Sequence, residues 1–192
     1  MKHCCLLGVL CMLLLVPYPS QAGEKRYERS VVQYTIPDVT LINQERKEVK
    51  LRQLLKAGKP VLLDFIYGTC TTICPVLSAG FSNMQNKLGP DAAKVQFVSV
   101  SIDPEYDTPE VMRDYLDRYR AKPGWDFLTG TRKDIETVMR AFDAFVPNKM
   151  NHFPVTFLCM PGSDKWVRIY GMISTADLMA EYGNLQKEMS KP

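Results

Sequence analysis

The stretch Asp64-Phe65-Ile66-Tyr67-Gly68-Thr69-Cys70-Thr71-Thr72-Ile73-Cys74-Pro75 constrains this chain more than any other. The apolar run Val61 to Tyr67 has the length and composition of a buried strand. Gly68-Thr69 turns the chain. Thr69, Thr71 or Thr72 can cap a helix, and Pro75 suits its first turn. The two thiols therefore fall at a helix N-terminus on the carboxyl edge of a sheet. Open α/β folds place their sites there, and the helix dipole lowers a thiol pKa there.

Cys70 and Cys74 are spaced i, i+4. On a helix such residues share a face, with Cβ atoms about 5–6 Å apart. A disulfide needs about 3.5–4.5 Å between them, so closing one requires a local distortion. Metal–sulfur bonds of about 2.3 Å accept sulfurs roughly 4 Å apart with less rearrangement. The spacing permits either chemistry and leans toward a metal. Soft thiolates select Cu(I) or zinc.

The first residues set the compartment. Met1-Lys2-His3, the apolar run Cys4 to Val16 and the small residues Ser20-Gln21-Ala22 read as a secretory signal peptide over 1–22. Export, to a bacterial periplasm, is expected, with a membrane anchor if the signal stays uncleaved. Of six cysteines, removal of the signal leaves Cys70, Cys74 and Cys159. An odd count in an oxidising compartment argues against a disulfide framework and for a reactive or metal-binding pair plus one buried thiol. A formal net charge of +3, with both signs interspersed, excludes a nucleic-acid binder.

Residues 23–34 read as a flexible lead-in, and 35–192 as one domain. Tyr34–Ile42 and Lys47–Leu51, turned at Asn43–Arg46, form an expected N-terminal hairpin. A short helical turn at Leu51–Leu55 leads to the strand at 61–67. The pattern then predicts a helix over 75–88, a strand at 95–102, a helix from Thr108 to about 120 and a short strand at 125–128. A helix over 131–144, a hairpin from 153–160 and 166–170, and a final helix from Ser174 to Met189 follow. Strands joined by helical crossovers, with an antiparallel edge, specify an α/β class. The architecture is thioredoxin-like: a central mixed sheet flanked by helices, with the N-terminal β-hairpin added.

His152 is the one histidine outside the signal segment, just ahead of the strand at Phe153. In this architecture the loop before the antiparallel hairpin abuts the start of the cysteine helix, so His152 can complete a Cys-Cys-His ligand set. Asp103 closes its strand on the same edge, as a supporting residue beside the ligands or as a turn cap. Cys159 is in phase with Val155 and Phe157 and reads as a buried, inert thiol. Met150 and Met160 read as packing residues, as do Trp125 and Trp166.

Three blocks make the chain similar to the Sco/SenC family of copper-binding, thioredoxin-like assembly factors for the CuA centre of cytochrome c oxidase. Phe65 to Cys70 with Cys74-Pro75 resembles that family's strand followed by Cys-x-x-x-Cys-Pro. Ser99-Val100-Ser101-Ile102-Asp103-Pro104, with Asp107-Thr108-Pro109, resembles its acidic Asp-Pro block, and His152, Phe157, Leu158 and Pro161 fall at the spacings of its histidine segment. The resemblance implies copper, Cu(I) or Cu(II), held by Cys70, Cys74 and His152. It implies a partner such as apo cytochrome c oxidase subunit II, with thiol reductants acting on the cysteines. A metallochaperone is the favoured reading. The alternative is a thiol–disulfide oxidoreductase that uses Cys70 and Cys74 catalytically without metal. A thiol peroxidase would need a nearby arginine that no motif marks.

Two positions depart from the family pattern. Thr71 stands where proline is usual, which leaves the ligand spacing intact. Pro154, at a strand start facing the cysteines, resembles the cis-proline of thioredoxins and favours thiol exchange.

Overall fold

The computed structural model describes residues 26–189. The signal peptide expected over 1–22 lies outside them. No helix among the described residues is long and apolar enough to cross a membrane.

Eight strands form one sheet. They are β1 (Tyr27–Gln33), β2 (Thr40–Asn43), β3 (Glu48–Lys50), β4 (Val61–Ile66), β5 (Gln96–Ser101), β6 (Trp125–Thr129), β7 (Val155–Cys159) and β8 (Lys165–Gly171). Their spatial order is β1-β8-β7-β4-β5-β6-β2-β3. The centre, β4-β5-β6, is parallel, as crossover connections require. β7 runs antiparallel to β4, and β8 to β7. The hairpin of β2 and β3 extends the opposite edge by pairing β2 with β6.

Five helices flank the sheet: α1 (Leu51–Leu55), α2 (Cys74–Leu88), α3 (Pro109–Arg118), α4 (Arg132–Ala141) and α5 (Thr175–Met189). Thr108 and Thr131 cap α3 and α4 by accepting hydrogen bonds from the amides of Val111 and Asp134. Helix α2 packs beside α3, where Ser78 and Tyr115 share a 2.8 Å hydrogen bond, and beside α5 on the same face. On the other face Phe142, just past α4, meets Phe65, Phe157, Tyr34 and Trp166 ring to ring. Trp125 packs against Phe81 beneath α2. Strand β4 is buried along its whole length, as its apolar run requires.

Three expectations need correction. The lead-in over 23–34 contains β1, which pairs with β8 from Tyr27 to Gln33. It is an edge strand: Tyr27 is its one fully buried side chain, so its composition looks polar while its backbone is paired. No threonine caps α2. The chain bends through residues 71–73, and the residue ahead of the helix is Ile73, which has no side-chain acceptor. Finally, no peptide bond among the described residues is cis, so Pro154 does not form a cis-proline groove. Pro154 precedes β7 and interrupts no ladder bond, and its carbonyl accepts from the Gly171 amide at 2.9 Å.

Candidate metal centre

The site begins where β4 ends. The Cys70 amide donates to the Tyr67 carbonyl at 3.2 Å, closing a tight turn that holds Cys70 ahead of the helix rather than on it. Cys74 is the first residue of α2, with Pro75 in the first turn, where its missing N–H goes unused. Gly68 is required in this turn. A Cβ there would lie 2.8 Å from Asp107 Oδ1 and 3.1 Å from Val111 Cγ1. The Gly68 amide donates to that same oxygen at 3.0 Å.

His152 reaches the thiols from the segment linking α4 to β7. A single 3-10 turn, Lys149–Asn151, precedes it. The His152 ring lies edge-on to Tyr67, with centroids 5.3 Å apart, and its Nε2 is 3.4 Å from Cys74 Sγ. The ligand atoms of Cys70, Cys74 and His152 all lie within 4.8 Å of one another. The three residues that the sequence nominated from two distant segments therefore meet at one point. Both thiols are free and buried, and the histidine is half-buried.

The two thiols are not equivalent. Burial opposes ionisation of Cys70, but hydrogen bonds with the Cys74 backbone and thiol and with Thr72 outweigh it and bring the thiol down to about 7. The Cys70 sulfur lies 3.6 Å from Thr72 Oγ1. Burial pushes the Cys74 thiol far above the ordinary range, and the neighbouring Cys70 adds to the shift. Burial also lowers the His152 pKa, with a hydrogen bond to the Lys149 backbone partly offsetting it, so the imidazole is neutral and can donate a lone pair. Two sulfurs and one neutral nitrogen form a soft donor set, which fits a thiophilic cation.

Asp103 lies at the same edge, buried, and its carboxylate accepts from Lys149. It does not cap the following turn. That turn is closed by the Asp103 carbonyl, which accepts from the Tyr106 and Asp107 amides at 3.0 Å. Cys159 lies away from the centre. Its thiol donates to the carbonyls of Met160 and Ser163, and burial pushes its pKa up to about 11. Met160 is buried, whereas Met150 is exposed and its sulfur accepts from the Tyr67 hydroxyl at 3.8 Å. Sequence reasoning missed Tyr67, Lys149 and Asp64. The last left a signal, an acid inside an apolar strand. It is fully buried on the face of β4 opposite Phe65, beneath α2.

The fold and the cluster define a thioredoxin-like α/β protein with a dithiol–imidazole centre. A family model described as SCO1/SenC matches residues 29–184, and the chain belongs to that family. It is 36% identical over 116 residues to the SCO1 protein homolog of Bacillus subtilis, a match covering 59% of each chain. The matches span 44% to 59% of the length of the first three curated relatives. Among solved structures, BsSco superposes with a TM-score of 0.67 at 30% identity, over 81% of this chain and 95% of that one. It is described as a member of the Sco family of cytochrome c oxidase assembly proteins with a disulfide switch. Bradyrhizobium japonicum ScoI, solved with copper bound, gives a TM-score of 0.55 at 31% identity, over 62% of this chain and 78% of the other.

Proposed function

We propose that this protein is an exported copper chaperone that binds one copper ion through Cys70, Cys74 and His152. It delivers the ion to an apo-copper protein, with a centre such as CuA of cytochrome c oxidase as the recipient class. The observation that carries the reading is the convergence of three soft ligand atoms within 4.8 Å. Copper-bound ScoI and the assembly role printed for BsSco support it. The chemistry of the donors agrees. Cys70 is half ionised near neutral pH, and His152 offers a neutral nitrogen. Cys74 must release its proton to bind metal, so loading is coupled to proton release. Copper is cargo here, and a site with three protein ligands leaves room for an incoming ligand from the recipient.

The unequal thiols favour a second reading, thiol–disulfide exchange on the recipient's cysteines. The Cys70 thiolate would attack a partner disulfide and release one partner thiolate. Cys74, losing its proton, would then attack the Cys70 sulfur and release the second. The partner gains two electrons, and this protein is left with a Cys70–Cys74 disulfide.

Anaerobic titration of the reduced protein with Cu(I) separates the two. A chaperone binds one copper per chain tightly, and His152→Ala abolishes tight binding while disulfide exchange continues. A wild-type protein that binds no copper but exchanges disulfides would overturn the first reading.

A further inference from the structure

The segment that delivers His152 is weakly built. Its bonds around the 3-10 turn are local: the Asn151 amide to the Asn148 carbonyl, the Met150 amide to Asn148 Oδ1, and the His152 amide to the Lys149 carbonyl. These shape the turn but do not attach it to the body of the protein. Lys149, three residues before His152, supplies the attachment. Its ammonium donates to Asp103 Oδ2, on the loop that follows β5. The same nitrogen lies 4.6 Å from the centre of the Tyr106 ring and 5.4 Å from that of Tyr67, both cation–π distances.

Asp103 is itself held. Its amide donates to Ser101 Oγ at 3.0 Å, and Ser101 donates to Asp107 Oδ2. Asp107 Oδ1 accepts from the Gly68 amide, two residues before Cys70. A continuous frame therefore runs from the cysteine turn through Asp107, Ser101 and Asp103 to Lys149 and the histidine turn. The Lys149–Asp103 pair is its one ionic joint. Asp103 has 5% of its side chain exposed and Lys149 32%. Such a pair is strong in the partly dry interior and selects one geometry.

We infer that Lys149 is a positioning residue: its ion pair with Asp103 clasps the histidine-bearing turn against the cysteine turn and sets the distance of the imidazole from the thiols. The inference rests on the copper reading for its metal-binding consequence, but not for the placement of His152 in the metal-free protein. Loss of Lys149 leaves Asp103 with Arg132, 3.9 Å away, so the buried carboxylate keeps a cationic neighbour and the fold survives the change.

The test compares wild type with Lys149→Met, Lys149→Arg, Asp103→Asn and His152→Ala. In metal-free protein, the His152 imidazole resonances, assigned by their loss in His152→Ala, are recorded by NMR. Cu(I) affinity is measured by chelator competition, and Cu(II) nitrogen hyperfine coupling by EPR. Lys149→Met is expected to broaden or average the His152 signals, to weaken copper binding about ten-fold and to reduce the nitrogen coupling. Asp103→Asn, cutting the same joint from the other side, should do likewise, and Lys149→Arg should restore most of each. Unchanged His152 resonances in both Lys149→Met and Asp103→Asn would overturn the clasp, as would a wild-type affinity in both while His152→Ala loses copper. If wild type itself binds no copper, the proposed function fails. The NMR comparison still decides the clasp.

Discussion

Asp64 carries the clearest quantitative consequence of this fold. It is fully buried in the middle of β4, between Ser99 and Thr156 in register, and neither carboxylate oxygen has a hydrogen-bond partner. Ser99 lies near enough to lower its pKa slightly, but the Ser99 hydroxyl already accepts from the Trp125 indole at 3.0 Å. Burial dominates and raises the carboxyl pKa from 3.8 to about 7. The folded protein therefore retains a proton that the unfolded chain releases near pH 4. The favourable contribution is fully present below the unfolded value, declines as pH rises, and is lost by the time pH passes the folded value near 7. A shift of about three units, at about 1.4 kcal/mol per unit, makes the charged carboxylate destabilising by about 4 kcal/mol. Asp64→Asn, uncharged at every pH, removes this dependence. Urea unfolding of reduced, metal-free wild type and variant from pH 5 to pH 8 measures it. Wild-type stability should fall relative to the variant by about 3 kcal/mol across that range and level off above it. Cys70 also titrates near 7, but it is present in both proteins and cancels in the difference. A difference that stays constant with pH would refute the reasoning.

Three further outcomes follow from the site. Because burial holds the Cys74 thiol protonated, copper affinity should rise with pH through the neutral range, with protons released on binding; calorimetry in buffers of different ionisation enthalpy should count at least one per copper. Gly68→Ala forces a methyl to 2.8 Å from Asp107 Oδ1, so thermal unfolding should show a loss of about 1–3 kcal/mol, and a neutral effect would mean that the turn is looser than its packing implies. Cys159→Ser keeps a donor for the Met160 and Ser163 carbonyls and lies away from the centre, so copper stoichiometry and affinity should match wild type; loss of copper would give Cys159 a role it lacks here.

What was legible in the sequence was what local pattern controls. The apolar run Val61 to Tyr67, the Gly68 turn and Cys74-Pro75 each act on near neighbours, so the strand–turn–helix unit and both cysteines could be placed before any tertiary contact was known. His152 followed because the order of elements dictates which loop adjoins that turn. β1 escaped because an edge strand is stabilised by main-chain pairing with β8, which leaves no strong side-chain pattern in Glu28 to Gln33. The capping threonines were misplaced because the bends at residues 71–73 delay the helix, and a cap acts only at the residue next to it. Asp103 was placed at the right edge. Its partner Lys149, 46 residues away, is joined to it only by the finished sheet. Asp64 shows the same limit. An acid in a buried strand is visible, but its lack of partners depends on what β5 and β7 bring beside it.

The measurement that tests the central claim most directly is X-ray absorption at the copper edge on protein loaded with one equivalent of Cu(I), for wild type and His152→Ala. The account predicts a first shell of two sulfurs at about 2.3 Å and one nitrogen, with the nitrogen lost in the variant and the two sulfurs kept. A wild-type shell without sulfur, or one that His152→Ala leaves unchanged, would contradict a copper centre built from Cys70, Cys74 and His152.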